Sequence, residues 1–280
     1  MLTAGRFDQA LNGMPDPGNN ISQSFKQLIM AKQKGIIRLK GTIGNITFYK
    51  SRDGFLAREK TSITADRVAN DPAFERTREN GAEFGRAGIA GKILRTALRA
   101  LLIHASDSRL VGRLTREMVK VVQADITNPR GRRNVIDGEA ELLEGFEFNN
   151  FGKLGASFYA PFTPSIDRVS GELRIDIPAY VPLNMVNAPT GASHYRIQSA
   201  GVEIDFENNQ YVVDVQTSGT IPWDASPTAL LTLTNTVTAN SSHPLFLAFG
   251  VEFFQQVNGQ EYALKNGAFN SLALVKVLGV

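Results

Sequence analysis

From about residue 145 to its end the chain alternates apolar and polar residues in short runs broken by Pro, Gly, Asn and Ser, a pattern that points to an antiparallel β fold. Leu173, Ile175 and Ile177 alternate with Glu172, Arg174 and Asp176, and Val202, Ile204 and Phe206 alternate with Glu203, Asp205 and Glu207. Successive side chains on a strand point to opposite faces, so the acids are expected to point outward. Tyr211, Val213 and Val215 follow the turn "ENNQ", and Leu231 and Leu233 alternate with threonines. "LFLAFGVEFFQQV" runs into an Asn258-Gly259 turn, and "SLALVKVLGV" reads as a last strand. Roughly seven to nine strands are expected, enough for a β-sandwich with its own core, Ig-like or jelly-roll-like.

The first half follows a different period. Asp71 before Pro72 fits a helix start, and Phe74, Phe84, Ile89, Ile93, Leu94, Leu98 and Leu101 continue it as an apolar stripe. Gly81, Gly85 and Gly88 fall at i, i+4 and i+7 on one side of this helix, where each interior glycine costs roughly 0.5–1 kcal/mol relative to alanine. The stripe either admits another backbone closely or marks a kink or break within "NGAEFGRAGIAG". A second helix starts near Ser106 or Asp107, with Leu110, Val111, Leu114, Met118, Val121 and Val122 on one side. Arg109, Arg113, Arg116 and Lys120 line the opposite side as a basic ridge, and "NPRGRR" adds Arg130, Arg132 and Arg133. These seven cations are the candidate surface for a polyanion or an acidic partner.

Charge divides the chain as sharply as periodicity does. Residues 1–134 carry 24 Lys and Arg against 12 Asp and Glu, a net of +12, whereas residues 135–280 carry 6 against 15, a net of −9. Such asymmetry points to nucleic-acid binding or to complementary association. It equally allows the basic helices to fold back over the acidic half of the same chain. With no cysteine there is neither a disulfide framework nor a thiolate site. His104, His194 and His243 lie in separate regions without ligand spacing, so no metal and no cofactor is expected. No G-x-S-x-G, phosphate-binding loop or dinucleotide fingerprint occurs, and a non-enzyme is expected. Acid pairs such as Asp205 with Glu207, or Glu141 with Glu144, read as solvated acids. Trp223, the one tryptophan, is placed in a turn between strands and packed on the core. No apolar run approaches the ~18 residues of a membrane span.

"GTIGNITFYKSRDGFLAREK", residues 41–60, reads as a basic hairpin around Asp53-Gly54, with Phe48, Tyr49 and Phe55 as a candidate assembly surface. An isolated hairpin is marginal in water, so these rings need cover from elsewhere. With "MAKQKGIIRLKGTIGNITFYKSRDGFLAREK" followed by "ANDPAFERTRENGAEFGRAG", the chain resembles a family of uncharacterised Bacteroidota proteins of similar length. Members open near the position of Met30 and share the Lys-Gly-x-Ile-Gly-x-x-x-Phe-Tyr hairpin and an Asn-Asp-Pro helix. The resemblance covers most of residues 30–280 and implies no activity, cofactor or site residue. The segment before Met30 departs from it.

The sequence therefore predicts an α+β chain: a poorly ordered or non-native leader over 1–29, a basic hairpin with helices over 30–134, and an acidic antiparallel β-sandwich over 135–280. The expected role is a structural subunit that assembles with itself into a filament, tube or virion-like particle. The alternatives are a nucleic-acid-binding or packaging module on the basic helical face, and a ligand- or carbohydrate-binding sandwich.

Overall fold

In the first strands, turn chemistry fixes register. The structure, a computed structural model, describes residues 30–35, 37–60 and 63–280, and the expected leader over 1–29 lies outside the described residues. β3 (Ile46–Ser51) and β4 (Gly54–Glu59) form the expected hairpin, Gly54 taking a φ of 110° that suits glycine and Ser51 Oγ accepting from the Asp53 N–H. A second two-residue turn at Gly44–Asn45, with Gly44 at φ 57°, adds β2 (Gly41–Ile43). β1 (Met30–Lys32) pairs with β4, giving the antiparallel order β1-β4-β3-β2. The described residues up to Ala65 form one compact unit by themselves.

Residues Asp66–Val280 form the other. After α1 (Ala65–Asn70), the Asp71 carboxylate accepts from the Ala73 N–H and caps a 3-10 turn that leads into α2 (Glu75–Ala97). α2 runs unbroken for 23 residues, so its glycines neither kink nor divide it. α3 (Arg99–Leu102) and α4 (Leu110–Gln123) follow, and then α5 (Leu154–Ser157). The strands are β5 (Thr163–Asp167), β6 (Glu172–Ile177), β7 (His194–Asp205), β8 (Gln210–Pro222), β9 (Leu231–Thr236), β10 (Leu245–Val257), β11 (Gln260–Ala263) and β12 (Ser271–Leu278), with α6 (Pro182–Met185) between β6 and β7. β5 to β12 make eight strands in two antiparallel sheets. One has the order β11-β10-β7-β8 with β12 also on β10; the other has the order β5-β6-β9. β9 lies beside β8 and β5 beside β12, so the strands curl into a half-barrel.

β7 and β10 are buried on both faces, which explains why "LFLAFGVEFF" is apolar without a break. Their even-numbered residues, including Val202, Ile204, Phe246 and Ala248, meet Ala87, Leu94, Leu114 and Met118 of α2 and α4 in one core. Tyr195, Ile197, Leu247, Phe249 and Val251 face Leu173, Ile175 and Leu233 across the β5-β6-β9 sheet in a second core. The helices thus share a core with the strands, and the expected domain boundary at 134/135 falls inside this unit. The basic helices do lie over the acidic half, held there by apolar packing.

The expectation that the acids point outward fails at Glu203, which is 6% exposed. It faces the second core side, where the Ser241 hydroxyl donates at 2.6 Å and the Thr238 N–H at 3.1 Å. Burial pushes its carboxyl up, but those donors outweigh burial and hold it below the usual range. Two-sided cover turns a polar alternation that normally means solvent into an internal hydrogen-bonded site. Among the described residues no helix is long and apolar enough to cross a membrane.

Candidate assembly and polyanion surfaces

Register sorts the hairpin's aromatic residues. Phe48 pairs with Ala57, Lys50 with Phe55 and Ile46 with Ile43, and cross-strand partners share a face. Ile43, Ile46, Phe48, Phe55 and Ala57 therefore share one face, with Lys50 and Glu59 on it as well. Tyr49 pairs with Leu56 and belongs to the opposite face, so the three rings proposed from the sequence do not form one surface. Arg38 lies 5.0 Å and Lys50 5.8 Å from the Phe55 ring centre, and Arg58 lies 5.6 Å from that of Tyr49. No described side chain from 31 to 65 is buried, and Ile43 is 63% exposed. Residues 30–65 carry 8 Lys and Arg against 2 Asp and Glu, a net of +6. This is a basic sheet without a core of its own.

On α2 the buried side holds Glu83, Ala87, Ala90, Leu94 and Ala97. Gly81, Gly85 and Gly88 occupy the opposite side, and among the described residues no neighbouring atom lies within 4 Å of where a Cβ would stand on any of them. Phe84 and Ile89 flank them, exposed. The helix contact inside the fold uses Gly91 instead, whose Cβ position is 3.5 Å from Leu114 Cγ. The close approach expected at Gly81, Gly85 and Gly88 is not made among the described residues.

The basic ridge is largely occupied internally. Arg113 donates to the Glu147 carbonyl at 2.6 Å, the Phe148 carbonyl at 3.1 Å and the Asp107 carboxylate at 2.5 Å, with its guanidinium 5.2 Å from the Phe146 ring centre. Burial pushes the Asp107 carboxyl up, but the Asn150 and Arg109 N–H groups and Arg113 together hold it below the usual range. Arg109 precedes the helix as its N-cap. Arg116 and Lys120 share Glu117, whose carboxyl is lowered chiefly by the Lys120 hydrogen bond. Exposed pairs of this kind contribute ~0–1 kcal/mol, and Glu117 together with Asp107 takes the four-cation ridge from +4 to +2.

The "NPRGRR" loop is clamped to α2. Glu83, 2% exposed, accepts from the Gly131 N–H and from Arg133 Nε, both at 2.8 Å. Burial raises the Glu83 carboxyl, yet the Gly131 N–H and the Arg133 guanidinium outweigh it and leave it lowered. Arg86 returns a bond to the Arg133 carbonyl, and Arg130 bonds Asn80. Gly131 has φ 85°, and its Cβ position is 2.8 Å from Glu79 Cγ, so glycine is required there. Among the described residues, Arg109 and Arg132 are the members of the seven that make no ion pair.

Sequence reading missed Glu83 and Asp107, which hold Arg133 and Arg113, and also Asp125, which accepts from backbone and amide N–H groups of its own loop. Asp125 had a local signal: it accepts from the Thr127 and Asn128 N–H groups as an Asx turn ending α4. Asp205 does the same for Glu207 and Asn208 at the β7–β8 connection, and Glu141 and Glu144 take backbone N–H groups of Gly279 and Val277. Among the described residues no cluster of three or more His, Asp or Glu could hold a metal ion. No family model matches this chain, and no curated protein or solved structure matches it.

Proposed function

We propose that the chain is a non-enzymatic subunit that assembles with further copies of itself, the basic β1–β4 sheet of one copy meeting the acidic surface of another. One observation carries this reading: Ile43, Ile46, Phe48, Phe55 and Ala57 share one face of the sheet, and none of its described side chains is buried. Covering Ile43, Ile46, Phe48 and Phe55 is worth roughly 6–12 kcal/mol as an upper bound. Association costs about 4–15 kcal/mol, so this face alone stands at the margin and a lasting assembly needs a second contact. The open face of Gly81, Gly85 and Gly88 is the second surface in this reading. Residues 66–280 carry 20 Lys and Arg against 23 Asp and Glu, a net of −3, complementary to the +6 of the sheet. Contacts between two different surfaces propagate rings, tubes or filaments, and opposite charge steers them. For residues 135–280 we read the two facing sheets as a β-sandwich, Ig-like or jelly-roll-like, a scaffold that carries such surfaces. Membership in the Bacteroidota family that shares the hairpin motif is part of the same proposal.

Light scattering and electron micrographs across salt and protein concentration test it. Ordered polymers that weaken with salt are expected. Phe48→Ser should abolish them while Tyr49→Ser, on the other face, leaves them intact; a sharp monomer under every condition refutes the reading. The net +6 beside partly exposed rings favours a second reading, in which the sheet binds single-stranded nucleic acid by stacking and phosphate contacts. No retention on DNA or RNA at low salt removes it.

A further inference from the structure

A pocket of about 420 Å³ lies between the end of β8, the loop 223–230 and the start of β9, lined by Tyr180, Ile221, Pro222, Pro227, Leu230 and Leu231 with Asp224 and Thr228 among them. That volume falls within the range of small-molecule sites, roughly 300–1,000 Å³. The loop is held in place before any ligand arrives. The Thr228 N–H donates to the Tyr180 carbonyl at 2.8 Å, and the Tyr180 N–H to Thr228 Oγ1 at 3.1 Å. The Leu183 N–H donates to the Asp224 carbonyl, and Trp223 Nε1 donates to the Val186 carbonyl at 2.9 Å. Behind the pocket, Tyr180 and Tyr195 share a hydroxyl–hydroxyl bond of 2.7 Å in the second core, which fixes the Tyr180 ring.

Asp224 is the one charged residue in the lining. No lysine, arginine or histidine there offsets it, and its exposed carboxylate is held by the Ser226 N–H at 2.8 Å. The complement of an apolar lining with a single carboxylate is an apolar body with a positive end.

We propose that this pocket binds a small molecule with an apolar body and a cationic amine, the body against Ile221, Leu230 and Leu231 and the amine against Asp224. The site is independent of the assembly surfaces described above. Trp223, the only tryptophan in the chain, sits between two lining residues and reports on occupancy.

The test is Trp223 fluorescence of the full chain titrated with 4-phenylbutylamine and, separately, with 4-phenylbutyric acid. A saturable shift with the amine is expected, with the acid at least threefold weaker, about what an exposed charge pair supplies. Asp224→Asn keeps an oxygen for the Ser226 N–H and should remove the preference for the amine, with an unchanged unfolding midpoint. Ala229→Phe, which fills the lining, should abolish the shift. The proposal is overturned if the amine gives no saturable change, if acid and amine bind alike, or if folded Asp224→Asn retains the full preference.

Discussion

Replacing Gly81, Gly85 and Gly88 together by alanine should stabilise this protein. All three lie in the interior of α2, where glycine is about 0.5–1 kcal/mol worse than alanine because it loses more backbone freedom on folding. Nothing in the described chain stands within 4 Å of the added Cβ atoms, so no steric cost offsets the gain. Summed over three sites whose new methyl groups meet nothing, the gain is about 1.5–3 kcal/mol. A unit of this size shifts its Tm by roughly 2–4 °C per kcal/mol, giving an expected rise of about 3–12 °C. Thermal unfolding followed by circular dichroism measures it on dilute protein, with Gly91→Ala as a contrast. There a methyl would be 3.5 Å from Leu114 Cγ and 3.7 Å from Met118 Cγ, ordinary contact distances, so packing as well as propensity decides the result. A triple variant with an unchanged or lower Tm would refute the reasoning, since it would mean that something does occupy the glycine face. Sedimentation velocity on the same samples adds a second readout. If copies meet on that face, the triple variant should be more stable and less assembled at once.

Glu83→Ala leaves the Arg133 guanidinium, 21% exposed, without its carboxylate, and should cost about 3–5 kcal/mol in urea unfolding; a loss under ~1 kcal/mol would show that the clamp is dispensable. Arg113→Ala should cost about 2–4 kcal/mol by stranding Asp107 and two carbonyls, whereas Arg116→Ala, 73% exposed, should stay within ~0.5 kcal/mol. Equal effects would show that Arg113 belongs to the surface ridge after all. Glu83, Asp107 and Asp125 all have lowered carboxyls. Their contribution is therefore present above the unfolded carboxylate range, about 4, and is lost as pH falls through their folded values. Glu252 on β10 runs the other way: burial raises its carboxyl despite His104 and Arg196, at 3.8 and 3.9 Å. Its charged form costs stability at neutral pH, so Glu252→Gln should raise the unfolding midpoint at pH 7, and the gain should shrink as pH falls toward 4. A gain independent of pH would assign the effect to packing.

Gly54 and the Asp53-Gly54 signal set the β3–β4 hairpin, and the 3.6-residue period of Leu110, Leu114, Met118, Val121 and Val122 set α4, because both depend on neighbours within a few positions. β1 and β2, three residues each, carry too few side chains for a period to show. The same locality explains the error over the ridge. Spacing alone put Arg113 on an exposed helix face, but Asp107 and the Glu147 and Phe148 carbonyls, up to 35 residues away, draw it inward. Arg133 finds Glu83 across 50 positions, and no local pattern announces that pairing.

By itself, the sequence determined the element types: the amphipathic helix α4, a glycine-set hairpin, and an antiparallel β region with strands of the right number. Each follows from backbone propensity and the period of side chains along one element. Only tertiary structure decided that β7 and β10 are covered on both faces, that Glu203 lies inside, and that the helices and strands of 66–280 share a core while no described side chain of the β1–β4 sheet is buried. Those outcomes depend on which apolar faces meet across long stretches of chain, and a one-dimensional pattern states that a face must be covered without saying by what.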